Sequence, residues 1–112
     1  MIQRENFSPS DMERWLDERR VTEVECLVSD LTGVSRGKIL PRAKFGQDKG
    51  LRLPQAVMMQ TVTGNYPESE EVDAIMTDYD PDMILKPDPE TVCIVPWAAD
   101  PTAQVIHDCY FF

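Results

Sequence analysis

The chain has 112 residues, enough for one domain that buries roughly two thirds of its unfolded surface. Its 42% hydrophobic and 28% charged residues exclude a disordered chain. The 11 basic and 20 acidic residues leave a formal charge of −9, which disfavours nucleic acid and anionic membrane surfaces as partners.

In chain order, Met1 to Asn6 is polar and lacks the apolar region of a signal peptide, and no run is long enough to span a membrane. The cytoplasm is therefore the expected location. Ser8-Pro9-Ser10-Asp11 predicts a helix start: Ser8 as cap, Pro9 at the first helical position, and an acid early in the helix dipole. Met12, Trp15 and Leu16 then form one apolar stripe, and Arg19 and Arg20 close the helix. Val24 to Ser29 and Val34 to Leu40 read as two strands across the turn Asp30-Leu31-Thr32-Gly33, with Pro41 as the stop. Pro41 to Gly50 is a polar connection with one short helical turn at Arg42–Phe45. Leu53 to Thr63, apolar and β-branched, predicts a third strand opened by Pro54 and broken by Gly64-Asn65-Tyr66-Pro67. Glu68 to Asp80 reads as an acidic surface loop. Asp82 to Pro87, Thr91 to Val95 and Thr102 to Tyr110 complete the strands, separated by turns at Asp88-Pro89-Glu90 and Asp100-Pro101. One helix with strands at this spacing predicts an α+β fold, the helix lying on one face of the sheet.

The candidate chemistry is thin. Cys26, Cys93 and Cys109 are odd in number, widely separated and without a CxxC pair, so a disulfide framework is excluded and buried free thiols are expected. His107, the only histidine, sits beside Asp108, and adjacent strand residues point to opposite faces, so the two do not converge on a metal. Asp78, Asp80 and Asp82 begin like a calcium loop, but Met83 and Pro89 stand where that loop needs Gly and Glu. Gly33 to Lys38 lacks the spacing of a phosphate-binding loop. A nucleophile set of Cys26, His107 and Asp30 has no local support. The residues alone give a domain without a complete catalytic site.

Four blocks in order add a family resemblance: Val28 to Lys38, Gln60 to Tyr66, Asp80 to Asp88, and Val95 to Asp108. From about Trp15 to Tyr110 the chain resembles the N-terminal β-grasp domain of the glutamine synthetase family, nearest its γ-glutamylpolyamine (γ-glutamylputrescine) branch. The resemblance implies a β-grasp (ubiquitin-like) mixed sheet of about five strands, with residues 1–112 as one domain. It further implies a parent ligase that joins the glutamate γ-carboxyl to ammonia or an amine through an acyl-phosphate. ATP and Mg or Mn are implied for a C-terminal catalytic domain; no metal ligand or cofactor is expected within this chain. Partners implied are that catalytic domain and neighbouring subunits of a ring homo-oligomer, one of whose active sites this domain helps to close. The ammonia-using members carry Asp-Gly-Ser-Ser in the closing loop, and the matching residues here are Thr63, Gly64, Asn65 and Tyr66. Thr63 in place of the Asp makes an amine or polyamine a better expectation than ammonia. Arg36, Lys38 and Trp97 are expected as interface or structural residues, Trp97 chiefly in packing. The alternative is a free-standing ubiquitin-like interaction module without enzymatic activity.

Overall fold

In a computed structural model, described over residues 5–47, 51–66 and 81–110, the elements follow the chain from helix to sheet. Helix α1, Pro9–Glu18, starts where its cap residues dictate. Ser8 Oγ accepts from the Asp11 amide at 3.1 Å, and Asp11 Oδ2 accepts from the Ser8 amide at 2.9 Å. This reciprocal pair satisfies two backbone donors that the first turn would otherwise leave open. At the far end Arg20 takes a left-handed φ of 52°. Its amide donates to the Asp17 carbonyl, and the Val21 amide to that of Leu16, which stops the helix and turns the chain toward the sheet.

Strand β1, Glu23–Ser29, and strand β2, Ser35–Pro41, form the predicted antiparallel hairpin. Helix α2, Arg42–Phe45, occupies the predicted short turn. Arg42 ties it to α1 through ion pairs with Glu13 and Asp17. Strand β3, Leu51–Pro54, is followed by a 3-10 turn at Gln55–Met59. The expected strand from Leu53 to Thr63 is thus corrected: it ends where it was to begin. Pro54 has no amide to give the ladder, and after the Gln55 amide bonds the Pro81 carbonyl at 2.9 Å the 3-10 turn carries the chain out of the sheet.

Strand β4, Asp82–Pro87, and strand β6, Thr102–Tyr110, match their predicted spans. Strand β5 is only Cys93–Ile94, shorter than expected, because a 3-10 turn takes Pro89–Thr91, with the Asp88 side chain capping it. The sheet has six strands rather than about five, in the order β2-β1-β6-β4-β3, with β5 paired to β6. β1 runs parallel to β6 and every other pairing is antiparallel. This mixed sheet with one main helix is a β-grasp-like α+β fold. The expected acidic loop at Glu68 to Asp80 lies outside the described residues, as do Asp78 and Asp80 of the calcium-like run.

The core lies on one face. Met12 and Leu16 of α1 pack onto Val24, Cys26, Val28, Met83, Leu85, Ala103 and Val105, every second residue of their strands. Trp15 packs against this cluster, as its place in the stripe predicts, with the Arg19 guanidinium 4.1 Å over its ring.

Candidate functional site

The β1–β2 turn is built on one buried carboxylate. Asp30 Oδ1 accepts from the Thr32 hydroxyl at 2.7 Å, the Thr32 amide at 2.9 Å and the Val34 amide at 3.0 Å. Oδ2 accepts from Arg36 Nε at 3.0 Å. The Thr32 hydroxyl first, then Arg36 and the two amides, hold the carboxyl at a pKa of about 2 against the ordinary 3.8. Gly33, at φ 81°, closes the turn where a side chain would be strained.

Arg36 reaches further. Its Nη2 donates to the Thr61 carbonyl at 2.8 Å, so the hairpin charge pair is also the anchor of the loop at residues 60–66. That loop is closed on itself. The Gly64 amide donates to the Thr61 carbonyl at 2.9 Å, and the Thr61 amide to the Asn65 carbonyl at 2.6 Å. Gln60 Nε2 donates to the Gly64 carbonyl at 3.1 Å. Asn65 Nδ2 donates to the Thr63 hydroxyl at 3.2 Å, and the Thr61 and Thr63 hydroxyls lie 3.1 Å apart. Gly64 has φ 87°, the left-handed conformation that favours glycine.

The structure therefore brings Thr63, Gly64, Asn65 and the exposed Tyr66 into one formed loop and joins Arg36 to it. Lys38 and Trp97 are not part of it. Lys38 is exposed on β2, and Trp97 is 78% exposed. Trp97 was expected in packing or at a subunit contact; within this chain the turn after Val95 carries its ring outward while Val95 itself fills the core. Sequence reasoning placed Asp30 only in a turn and missed it as the centre of this site. The signal was there in part: an Asp opening a turn into Thr-Gly, with Arg six residues on.

His107 is buried, its Nδ1 3.0 Å from the Val105 carbonyl, which requires the proton on that nitrogen. Burial lowers its pKa, which favours the neutral ring. Asp108 is exposed on the opposite face, as alternation demands. Asp30 is bound to Thr32, Val34 and Arg36, and His107 to the Val105 carbonyl. Cys26 is buried, but Cys93 is exposed and Cys109 half-buried, correcting the expectation that all three are buried. Burial pushes the Cys109 thiol pKa up. Among the described residues no three His, Cys, Asp or Glu side chains converge as metal ligands, and no helix is long and apolar enough to cross a membrane.

No protein-family model matches the chain. Lengsin from Homo sapiens is 35% identical over 94 residues, which cover 81% of this chain and 18% of lengsin. Among solved structures, GmaS in an ADP complex superposes with a TM-score of 0.62 at 22% identity, covering 90% of this chain and 20% of that one. Ligand-free GmaS gives 0.59 at 20% identity, covering 91% and 21%. A novel glutamine synthase homolog gives 0.63 at 24% identity, covering 80% and 21%. The structural likenesses show the fold. With the lengsin similarity they support the glutamine synthetase family that the four sequence blocks resemble. The chain spans about a fifth of the length of the proteins it matches.

Proposed function

We propose that this chain is the N-terminal domain, residues 1–112, of an ATP-dependent glutamate–amine ligase of the glutamine synthetase type, in the γ-glutamylpolyamine branch. On this reading its partners are its own C-terminal catalytic domain and neighbouring subunits of a ring homo-oligomer. Its setting is cytoplasmic nitrogen and polyamine metabolism. ATP and Mg or Mn belong to the catalytic domain, which forms the acyl-phosphate that an amine then attacks. The contribution of this chain is to close the acceptor side of a neighbour's site with the loop at residues 60–66.

The observation that carries the reading is the chemistry of that loop. It presents two threonine hydroxyls, an amide and a tyrosine ring, with no carboxylate from residue 60 to 66. A carboxylate at Thr63 would attract ammonium and take its proton; a hydroxyl does neither. The loop is also preformed, because the Asp30–Arg36 pair fixes it from below, and a preformed loop loses little ordering entropy when it closes a site.

The test uses the protein translated from the complete coding sequence, assayed with glutamate, ATP and magnesium. Phosphate release should be faster with a diamine such as putrescine than with ammonium. Thr63→Asp should move that ratio toward ammonium on the order of tenfold. An unmoved ratio would reject the role given to the loop. The 112-residue chain alone should form no ADP from the same mixture. A second reading, the free-standing interaction module, is favoured by one observation, the outer face of the sheet, which no described residue covers. A stop codon directly after Phe112 would select it.

A further inference from the structure

Thr61 touches both the anchor of the candidate loop and Thr63. Its carbonyl accepts from Arg36 Nη2 at 2.8 Å and from the Gly64 amide at 2.9 Å, and its own amide donates to the Asn65 carbonyl at 2.6 Å. The backbone of Thr61 is therefore fixed on both sides, and a β-branched side chain has few rotamers to choose from. Its hydroxyl oxygen lies 3.1 Å from that of Thr63. Thr61 is half-buried, whereas Thr63 is exposed.

A threonine hydroxyl has one proton and two lone pairs. One lone pair of Thr61 Oγ1 takes the Asn65 amide proton at 3.2 Å. One lone pair of Thr63 Oγ1 takes an Asn65 Nδ2 proton, also at 3.2 Å. Between the two hydroxyls, one donates and the other accepts. When Thr63 donates, its proton is used on Thr61 and one of its lone pairs stays unfilled. When Thr61 donates, both lone pairs of Thr63 are filled and its proton is left over. Thr63 thus offers its surroundings either an acceptor or a donor, according to whether Thr61 takes or gives the shared proton.

We propose that Thr61 is a positioning residue for the acceptor amine and that it acts through Thr63. By accepting the Thr63 proton, Thr61 leaves Thr63 with a free lone pair, which accepts an N–H of the amine. The lone pair of the amine nitrogen is then left for the acyl carbon. The contact orients the nucleophile and moves no proton. A neutral amine has both an N–H to give and a lone pair to use. An ammonium ion has no lone pair until a base takes its proton, and neither hydroxyl is such a base. The inference rests on the ligase reading and adds to it the residue that sets the polarity of Thr63.

The test varies putrescine at saturating glutamate, ATP and magnesium, with the protein translated from the complete coding sequence. Thr61→Val keeps the shape and the backbone bonds of Thr61 and removes only the hydroxyl. It should raise the KM for putrescine about tenfold, the effect of one lost hydrogen bond. The KM values for glutamate and ATP should stay within about twofold. Thr61→Ser, which restores the hydroxyl, should bring the putrescine KM back near the parent value. Because Thr61 acts through Thr63, adding Thr61→Val to Thr63→Val should raise that KM no further. Amide exchange at Gly64 should match the parent in Thr61→Val. Faster exchange there would assign the loss to a loosened loop and overturn the inference. An unmoved putrescine KM, equal rises for all three substrates, no rescue by serine, or additive effects of the two valines would each overturn it as well. Parent turnover of putrescine with no response to Thr61→Val rejects this inference alone. A parent that turns over no amine rejects the ligase reading, and this inference falls with it.

Discussion

Asp30 shows how one side chain ties local structure to the candidate site. Its carboxylate organises the hairpin turn and orients Arg36, which in turn holds the Thr61 carbonyl. Because its folded pKa of about 2 lies below the ordinary 3.8, the unfolded chain binds the proton more readily. The stabilisation is therefore fully present above about pH 4 and is lost as pH falls toward 2. Asp30→Asn should be less stable than the parent at pH 7 and should lose less between pH 4 and 2, as read from urea midpoints across pH. Amide exchange at Gly64 should also quicken in that variant, because Arg36 loses the carboxylate that holds it against the loop. An unchanged pH slope would remove Asp30 from this role.

At the scale of elements, the two ends of α1 are unequal. The N-terminus uses residues suited to it, Ser8, Pro9 and Asp11. The C-terminus asks Arg20 for a left-handed backbone, φ 52°, which costs an ordinary residue about 1–2 kcal/mol. Glycine takes that conformation freely but adds flexibility to the unfolded chain. Arg20→Gly should therefore raise stability by about 0.5–1 kcal/mol in denaturant unfolding; a loss would mean that the arginine side chain makes a compensating contact. The same scale explains why the span from Leu53 to Thr63 misleads. Its residues are apolar and β-branched enough for a strand, but the proline at its start and the 3-10 turn after it redirect the chain toward the loop.

At the scale of the molecule, the buried core of the described residues lies on one side of the sheet. Leu85 is fully buried at the centre of β4, and Leu85→Ala should cost about 2–5 kcal/mol, the lost burial plus a cavity. Ile106 occupies the opposite face, and Ile106→Ala should change the unfolding free energy of the monomer by less than about 0.5 kcal/mol. Thermal and urea unfolding of the two variants at micromolar concentration checks the contrast. Equal effects would mean that the outer face is also part of the core.

Much of the fold is legible from residue order alone. The cap at Ser8, the stripe Met12–Trp15–Leu16, the turn ending in Gly33 and the alternation along Thr102 to Tyr110 are local signals, each set by backbone chemistry within a few residues. The candidate loop could be named from its residues and from the family resemblance, but not its anchoring. What only the tertiary structure decides are relations between distant residues. β1 lies parallel to β6, Arg36 meets Thr61 across 25 residues, and Trp97 turns outward. Periodicity states which residues share a face of a strand. It does not state which strands are neighbours, because pairing is decided by how one core is closed around Met12 and Leu16.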